Sequence, residues 1–209
     1  MNVKLIGNDY KCLQVELSRN EKFYCERGAL IYYEEGISST VNVLGGGITG
    51  MIKRTLSGES LFMVDLANNS PMPKKVVLAG KVGLLPVNLK QLTHGIICKA
   101  GSYVASSDKV DIDFKFNITS FIGGNGPLLQ KITGFCTVFL DAIGSPITLN
   151  LGPGETVYID EKSFIAMGAE MQNQLTPHFS GNNFLGGEGF SMMRVSGPGA
   201  VYINSVNFR

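Results

Sequence analysis

The stretch Lys109-Val110-Asp111-Ile112-Asp113-Phe114-Lys115-Phe116 sets apolar and charged side chains in strict alternation. Successive side chains of a strand point to opposite faces, so Val110, Ile112, Phe114 and Phe116 predict a buried face, while Lys109, Asp111, Asp113 and Lys115 face water. Leu13, Val15 and Leu17 alternate in the same way with Gln14 and Glu16. These segments lie in the two longest stretches without glycine or proline, Asn8 to Arg27 and Ser102 to Ile122, where a helix would have had room to form. Elsewhere glycine, 26 of 209 residues, punctuates the chain too often for long helices. Only Pro127 to Lys131 and Asn88 to Leu92 have the composition of a helical turn, and Gln172 to Asn183, polar and containing Pro177, reads as a loop. The expected class is all-β with very little helix.

One pattern recurs three times in the same order. It opens with Gly28-Ala29-Leu30-Ile31-Tyr32, Gly101-Ser102-Tyr103-Val104-Ala105 and Lys162-Ser163-Phe164-Ile165-Ala166, then reaches a glycine pair at Gly45-Gly46, Gly123-Gly124 and Gly186-Gly187. A basic residue follows eight positions before an aromatic one: Arg54 and Phe62, Lys131 and Phe139, Arg194 and Tyr202. Between them stand Ser57-Gly58, Thr133-Gly134 and Ser196-Gly197, which suit hairpin turns, whereas the glycine pairs suit corners between sheets. The expectation is a single domain, 1–209, of three pseudo-repeats at about 1–80, 81–151 and 152–209 with approximate three-fold internal symmetry. Asn68 to Pro73 reads as a loop between the first two units.

Charge excludes some functions. Only 17% of residues are charged and 44% are hydrophobic, which leaves apolar surface for other subunits to cover and leads us to expect a homo-oligomer. The formal charge is +1 and no basic run occurs, so binding driven by a phosphate backbone is not expected. No apolar stretch is long enough to span a membrane and no targeting segment is recognisable, although peripheral membrane association stays open. Cys12, Cys25, Cys98 and Cys136 are scattered and read as buried thiols in a reducing cytoplasm, where the glycosylation patterns at Asn68 and Asn117 carry no meaning.

Leu185-Gly186-Gly187-Glu188-Gly189-Phe190, followed by Arg194 to Ile203, resembles the closing signature of the altered inheritance of mitochondria protein 24 family. Ser57 to Phe62 is similar to that family's Gly-Glu step, and Gly101 to Ser106 with Val110 to its middle signature; Arg27 stands where the family often has proline. The resemblance implies a β-sandwich or double-stranded β-helix related in fold to the trp RNA-binding attenuation protein. Bacterial members are of unknown function, and mitochondrial relatives are associated with inner-membrane organisation. Kinship of fold does not carry RNA binding to this chain, which shows neither a basic face nor an aromatic stripe.

Chemistry is sparse. His94 and His178 form no pair and have no carboxylate at ligand spacing, so no metal and no cofactor are expected. A catalytic triad would need one of the same histidines, and no nucleophile elbow occurs. Glu59, Glu155 and Glu188 sit beside glycines in presumed turns. Such a glutamate either accepts backbone hydrogen bonds and pairs with Arg54 or Arg194, or contributes to acid-base work, and the first is the simpler reading. Glu59, Arg54, Glu188 and Arg194 are therefore candidate structural or ligand-contacting residues. The functional expectation is a non-enzymatic binding or scaffold protein acting as a homo-oligomer. The alternative is a cupin-like small-ligand sensor or enzyme with a pocket inside the barrel.

Overall fold

The computed structural model describes residues 1–43, 62–113, 129–178 and 192–206. Its strands come in three runs. The first holds β1 (Asn2–Ile6), β2 (Cys12–Leu17), β3 (Lys22–Glu26), β4 (Leu30–Tyr33), β5 (Ile37–Val43), β6 (Phe62–Asn68) and β7 (Lys74–Leu78). The second holds β8 (Gly83–Asn88), β9 (Ile96–Lys99), β10 (Tyr103–Ser106), β11 (Asp111–Asp113), β12 (Leu129–Thr133) and β13 (Thr137–Ala142). The third holds β14 (Ile147–Leu151), β15 (Thr156–Asp160), β16 (Phe164–Gly168), β17 (Leu175–His178), β18 (Met192–Ser196) and β19 (Gly199–Ile203). Helix among the described residues is limited to 3₁₀ turns at Arg27–Ala29, Leu89–Gln91 and Ala169–Gln174. The fold is an all-β sandwich of antiparallel sheets, ordered β1-β2-β7-β4, β5-β6-β3-β10-β13-β8, β11-β12-β9-β16-β19-β14 and β15-β18-β17.

Alternation explains the local structure. Leu13, Val15 and Leu17 are fully buried on β2, and on β11 Ile112 is buried between exposed Asp111 and Asp113. Phe114 and Phe116 lie outside the described residues, as do the three glycine pairs. The prolines within strands, Pro86 on β8 and Pro177 on β17, both sit on edge strands, where a missing N–H breaks no ladder.

The pairings recur along the chain. β2, β8 and β14 pair with β7, β13 and β19, and so do β4, β10 and β16. β6, β12 and β18 each lie between β5 and β3, β11 and β9, or β17 and β15. Two further pairings join one run to the next: β3 with β10, and β9 with β16. The core falls into three clusters, each drawing residues from more than one run. Phe23 packs with Leu13, Leu66 and Val76 of its own run and with Val104 and Phe139 of the next, its ring 6.2 Å from that of Phe139.

Several expectations need correction. Phe62 opens β6, whereas Phe139 and Tyr202 lie on β13 and β19, so the three aromatic positions are not equivalent strand for strand. Val77 stands opposite Tyr32 as Phe139 stands opposite Ala105 and Tyr202 opposite Ala166. Leu129, Gln130 and Lys131, read as part of a helical turn, lie in β12, because pairing with β9 and β11 outweighs a weak local preference. Gln172 to His178, read as loop, contains the end of a 3₁₀ turn and the whole of β17. Cys25, Cys98 and Cys136 are buried but Cys12 is only half-buried, and no disulfide joins the four.

The segment Asn68 to Pro73, read as a loop between the first two units, instead joins β6 to β7 within the first run, and Asn68 shows how it is fixed. Its buried Nδ2 donates to the carbonyls of Leu17 and Met72, each at 2.8 Å, and its Oδ1 accepts from the Ser70 N–H at 2.8 Å. Replacing Asn68 with alanine strands the buried Leu17 carbonyl and is expected to lower stability by about 1–3 kcal/mol. Urea denaturation checks this; a loss below about 0.5 kcal/mol would show that water replaces the side chain at little cost.

Candidate functional site

Arg194 occupies the middle strand of the β15-β18-β17 sheet. Alternation turns Met193 and Val195 into the core and leaves Arg194 exposed, between Tyr158 on β15 and Thr176 on β17. His178 packs its ring on Tyr158, centroids 4.5 Å apart, so this histidine is half-buried in a ring contact. Arg54, Glu59 and Glu188, the other candidates, lie outside the described residues. His94 is exposed in the turn before β9. Among the described residues no cluster of three or more His, Cys, Asp or Glu could hold a metal ion.

The sequence reading missed a cleft of about 270 Å³ where the turn after β9 meets the turn after β15. Lys81, Lys99, Lys162 and Asp141 line it, with Phe164 and Asn204. Lys99 Nζ donates to the Lys162 carbonyl at 2.9 Å, and burial pulls its ammonium pKa down against the opposing pull of Asp160 and Glu161. Asp141 Oδ1 accepts from the Lys81 N–H at 2.7 Å, with the Lys81 ammonium 3.9 Å from Oδ2. Asn204 Oδ1 accepts from the Ile143 N–H at 2.8 Å, so this wall is tied together by its own polar groups. Lys81 and Asp141 stand 60 residues apart, and no local spacing marks the pair in the sequence.

Burial raises the Asp141 pKa above 3.8, and the Lys81 N–H and ammonium only partly oppose it. A carboxyl with a raised folded pKa gives up stability as pH climbs from the unfolded value through the folded one, and recovers it on acidification. Asp141→Asn keeps the acceptor without the charge. The variant should therefore be more stable than wild type near neutral pH, and its advantage should shrink as pH falls to about 4. Urea midpoints across that range check the sign, which an advantage growing on acidification would reverse.

Among the described residues the most exposed single apolar side chains, Phe135, Tyr10 and Met72, lie in turns, whereas a row of adjacent ones lies at the end of a sheet. β4 closes the β1-β2-β7-β4 sheet and carries exposed Ile31, Tyr32 and Tyr33; β15 closes the β15-β18-β17 sheet and carries exposed Tyr158. Among the described residues no helix is long and apolar enough to cross a membrane.

The crystal structure of protein SPYM3_0169 from Streptococcus pyogenes is similar to this fold, with a TM-score of 0.71 and 23% identity over 99% of this chain and 94% of that chain. No curated protein matches the chain. Residues 3–206 match the family described as mitochondrial biogenesis AIM24, in agreement with the glycine-rich signatures of the sequence, and the chain belongs to that family.

Proposed function

We propose that this chain is a non-enzymatic binding or scaffold protein that acts as a homo-oligomer in the cytoplasm. The observation that carries this reading is the row Ile31, Tyr32 and Tyr33, exposed on a strand that ends its sheet. An open edge with apolar side chains is a template for pairing with another strand, and proteins that stay monomeric blunt such edges with charge or proline. β4 has neither. The buried cysteine thiols fit a reducing compartment, and the low charge content fits surface covered by other copies.

Native mass spectrometry of freshly purified protein tests this, because it reports stoichiometry and retained molecules together. The expected result is a multiple of 22.5 kDa without a stoichiometric small molecule. A monomer carrying one retained ligand would favour a cupin-like sensor or enzyme instead.

A further inference from the structure

Strand pairing inside the molecule follows one rule at both places where successive runs meet. β3 pairs with β10 through Cys25 opposite Ala105 and Tyr24 opposite Ser106. β9 pairs with β16 through Cys98 opposite Ala166 and Ile97 opposite Met167. The receiving strands share a further mark. The ladder to β13 shifts register between Tyr103 and Ala105, and the ladder to β19 shifts between Phe164 and Ala166.

β4 carries the same shift, between Leu30 and Tyr32 in its ladder to β7. Tyr32 thus corresponds to Ala105 and Ala166, and Tyr33 to Ser106 and Met167. β15 corresponds to β3 and β9, since it pairs with β18 as they pair with β6 and β12. Tyr158, opposite Arg194, takes the place of Ile97, opposite Lys131.

Exposure then separates the two kinds of junction. Ala105, Ala166, Ser106 and Met167 are all 0% exposed, whereas Tyr32 and Tyr33 are 48% and 46% exposed. Ile31 is 54% exposed against 2% for both Val104 and Ile165. On the donor side Tyr158 is 51% exposed, against 7% for Tyr24 and 0% for Ile97. The chain has a receiving strand at one end and a donating strand at the other. These belong to different sheets, and no pairing joins them among the described residues.

We propose that β4 of one copy pairs antiparallel with β15 of a second copy, with Tyr32 opposite Ile159 and Tyr33 opposite Tyr158, so that copies join head to tail. This rests on the homo-oligomer reading and names its interface. A second copy is the occupant because the two edges are the unused halves of a junction that the fold already makes twice. Such a contact is heterologous, so the assembly ends only by closing into a ring and otherwise grows as a filament.

The test uses two full-length chains with different tags, one bearing Tyr33→Cys and the other Tyr158→Cys, mixed and mildly oxidised. Residues directly opposite in an antiparallel pair have Cα atoms roughly 4.5–5.5 Å apart, within reach of a disulfide. The expected product is a mixed disulfide dimer that forms in the mixture and is lost when either variant is oxidised alone. Crosslinking of the Tyr33→Cys chain with itself would overturn the proposal in favour of a symmetric edge contact. Hydrogen exchange on the wild-type oligomer needs no variant: amides of β4 and β15 should be protected as those of β10 and β9 are, and rapid exchange at both edges overturns the proposal. An oligomer without the mixed crosslink would overturn this interface alone. A monomer would overturn both the interface and the homo-oligomer reading.

Discussion

Replacing Phe23 with alanine is expected to remove about 3–5 kcal/mol of stability. Phe23 is fully buried on β3, a strand flanked on both sides by β6 and β10. Its ring meets Phe139, so the cavity would open where the first run of strands packs on the second. Folded domains have only about 5–15 kcal/mol to lose, so the variant should unfold at a much lower urea concentration. A loss below about 1 kcal/mol would mean that the two runs do not depend on this contact.

The second large effect concerns assembly. Tyr33→Asp places a carboxylate on β4 where the proposed partner strand offers Tyr158 and Ile159. Burying an unpaired charge against an apolar strand costs several kcal/mol, so association should weaken on the order of a hundredfold or more. Tyr33 is about half exposed within one copy, so the urea midpoint of the separated chain should change little, by about 0.5 kcal/mol or less. Gel filtration with inline light scattering reads the first effect and denaturation the second. An oligomer of unchanged size would place the contact elsewhere; a dissociated but unstable chain would show that Tyr33 serves the fold.

The fold class was legible because alternation is a direct consequence of strand geometry: Leu13, Val15, Leu17 and Ile112 are buried where period two puts them. The match of Gly28-Ala29-Leu30 with Gly101-Ser102-Tyr103 and Lys162-Ser163-Phe164 also falls at one place in the ladders, since each register shift follows the third residue of its triplet. The basic-to-aromatic spacing misled in the first copy. Arg54 and Phe62 reproduce the spacing of Lys131 and Phe139, but Phe62 belongs to a strand that pairs with β3 and β5. Spacing along the chain cannot tell which ladder a strand enters. A segment as short as Pro127 to Lys131 is likewise ambiguous between helix and strand.

The candidate site was less legible. Of the four candidates Arg54, Glu59, Glu188 and Arg194, Arg194 alone is described, and it lies on an exposed sheet face between Tyr158 and Thr176. The cleft around Asp141 and Lys99 and the two open edges arise from the order of strands in the sheets. Hydropathy carries no mark of which strand is left at an edge. Ile31, Tyr32 and Tyr33 read like core residues, and only the topology shows that no strand among the described residues lies beyond them in the same sheet.

Light scattering of the wild-type protein at low and high ionic strength tests the central claim most directly. Apolar strand edges hold together independently of salt, whereas exposed ion pairs are screened by it. The account predicts a mass that is a multiple of 22.5 kDa and the same in both conditions. A 22.5 kDa monomer at micromolar concentration in both would contradict it, and an oligomer that dissociates in high salt would contradict the force assigned to the contact.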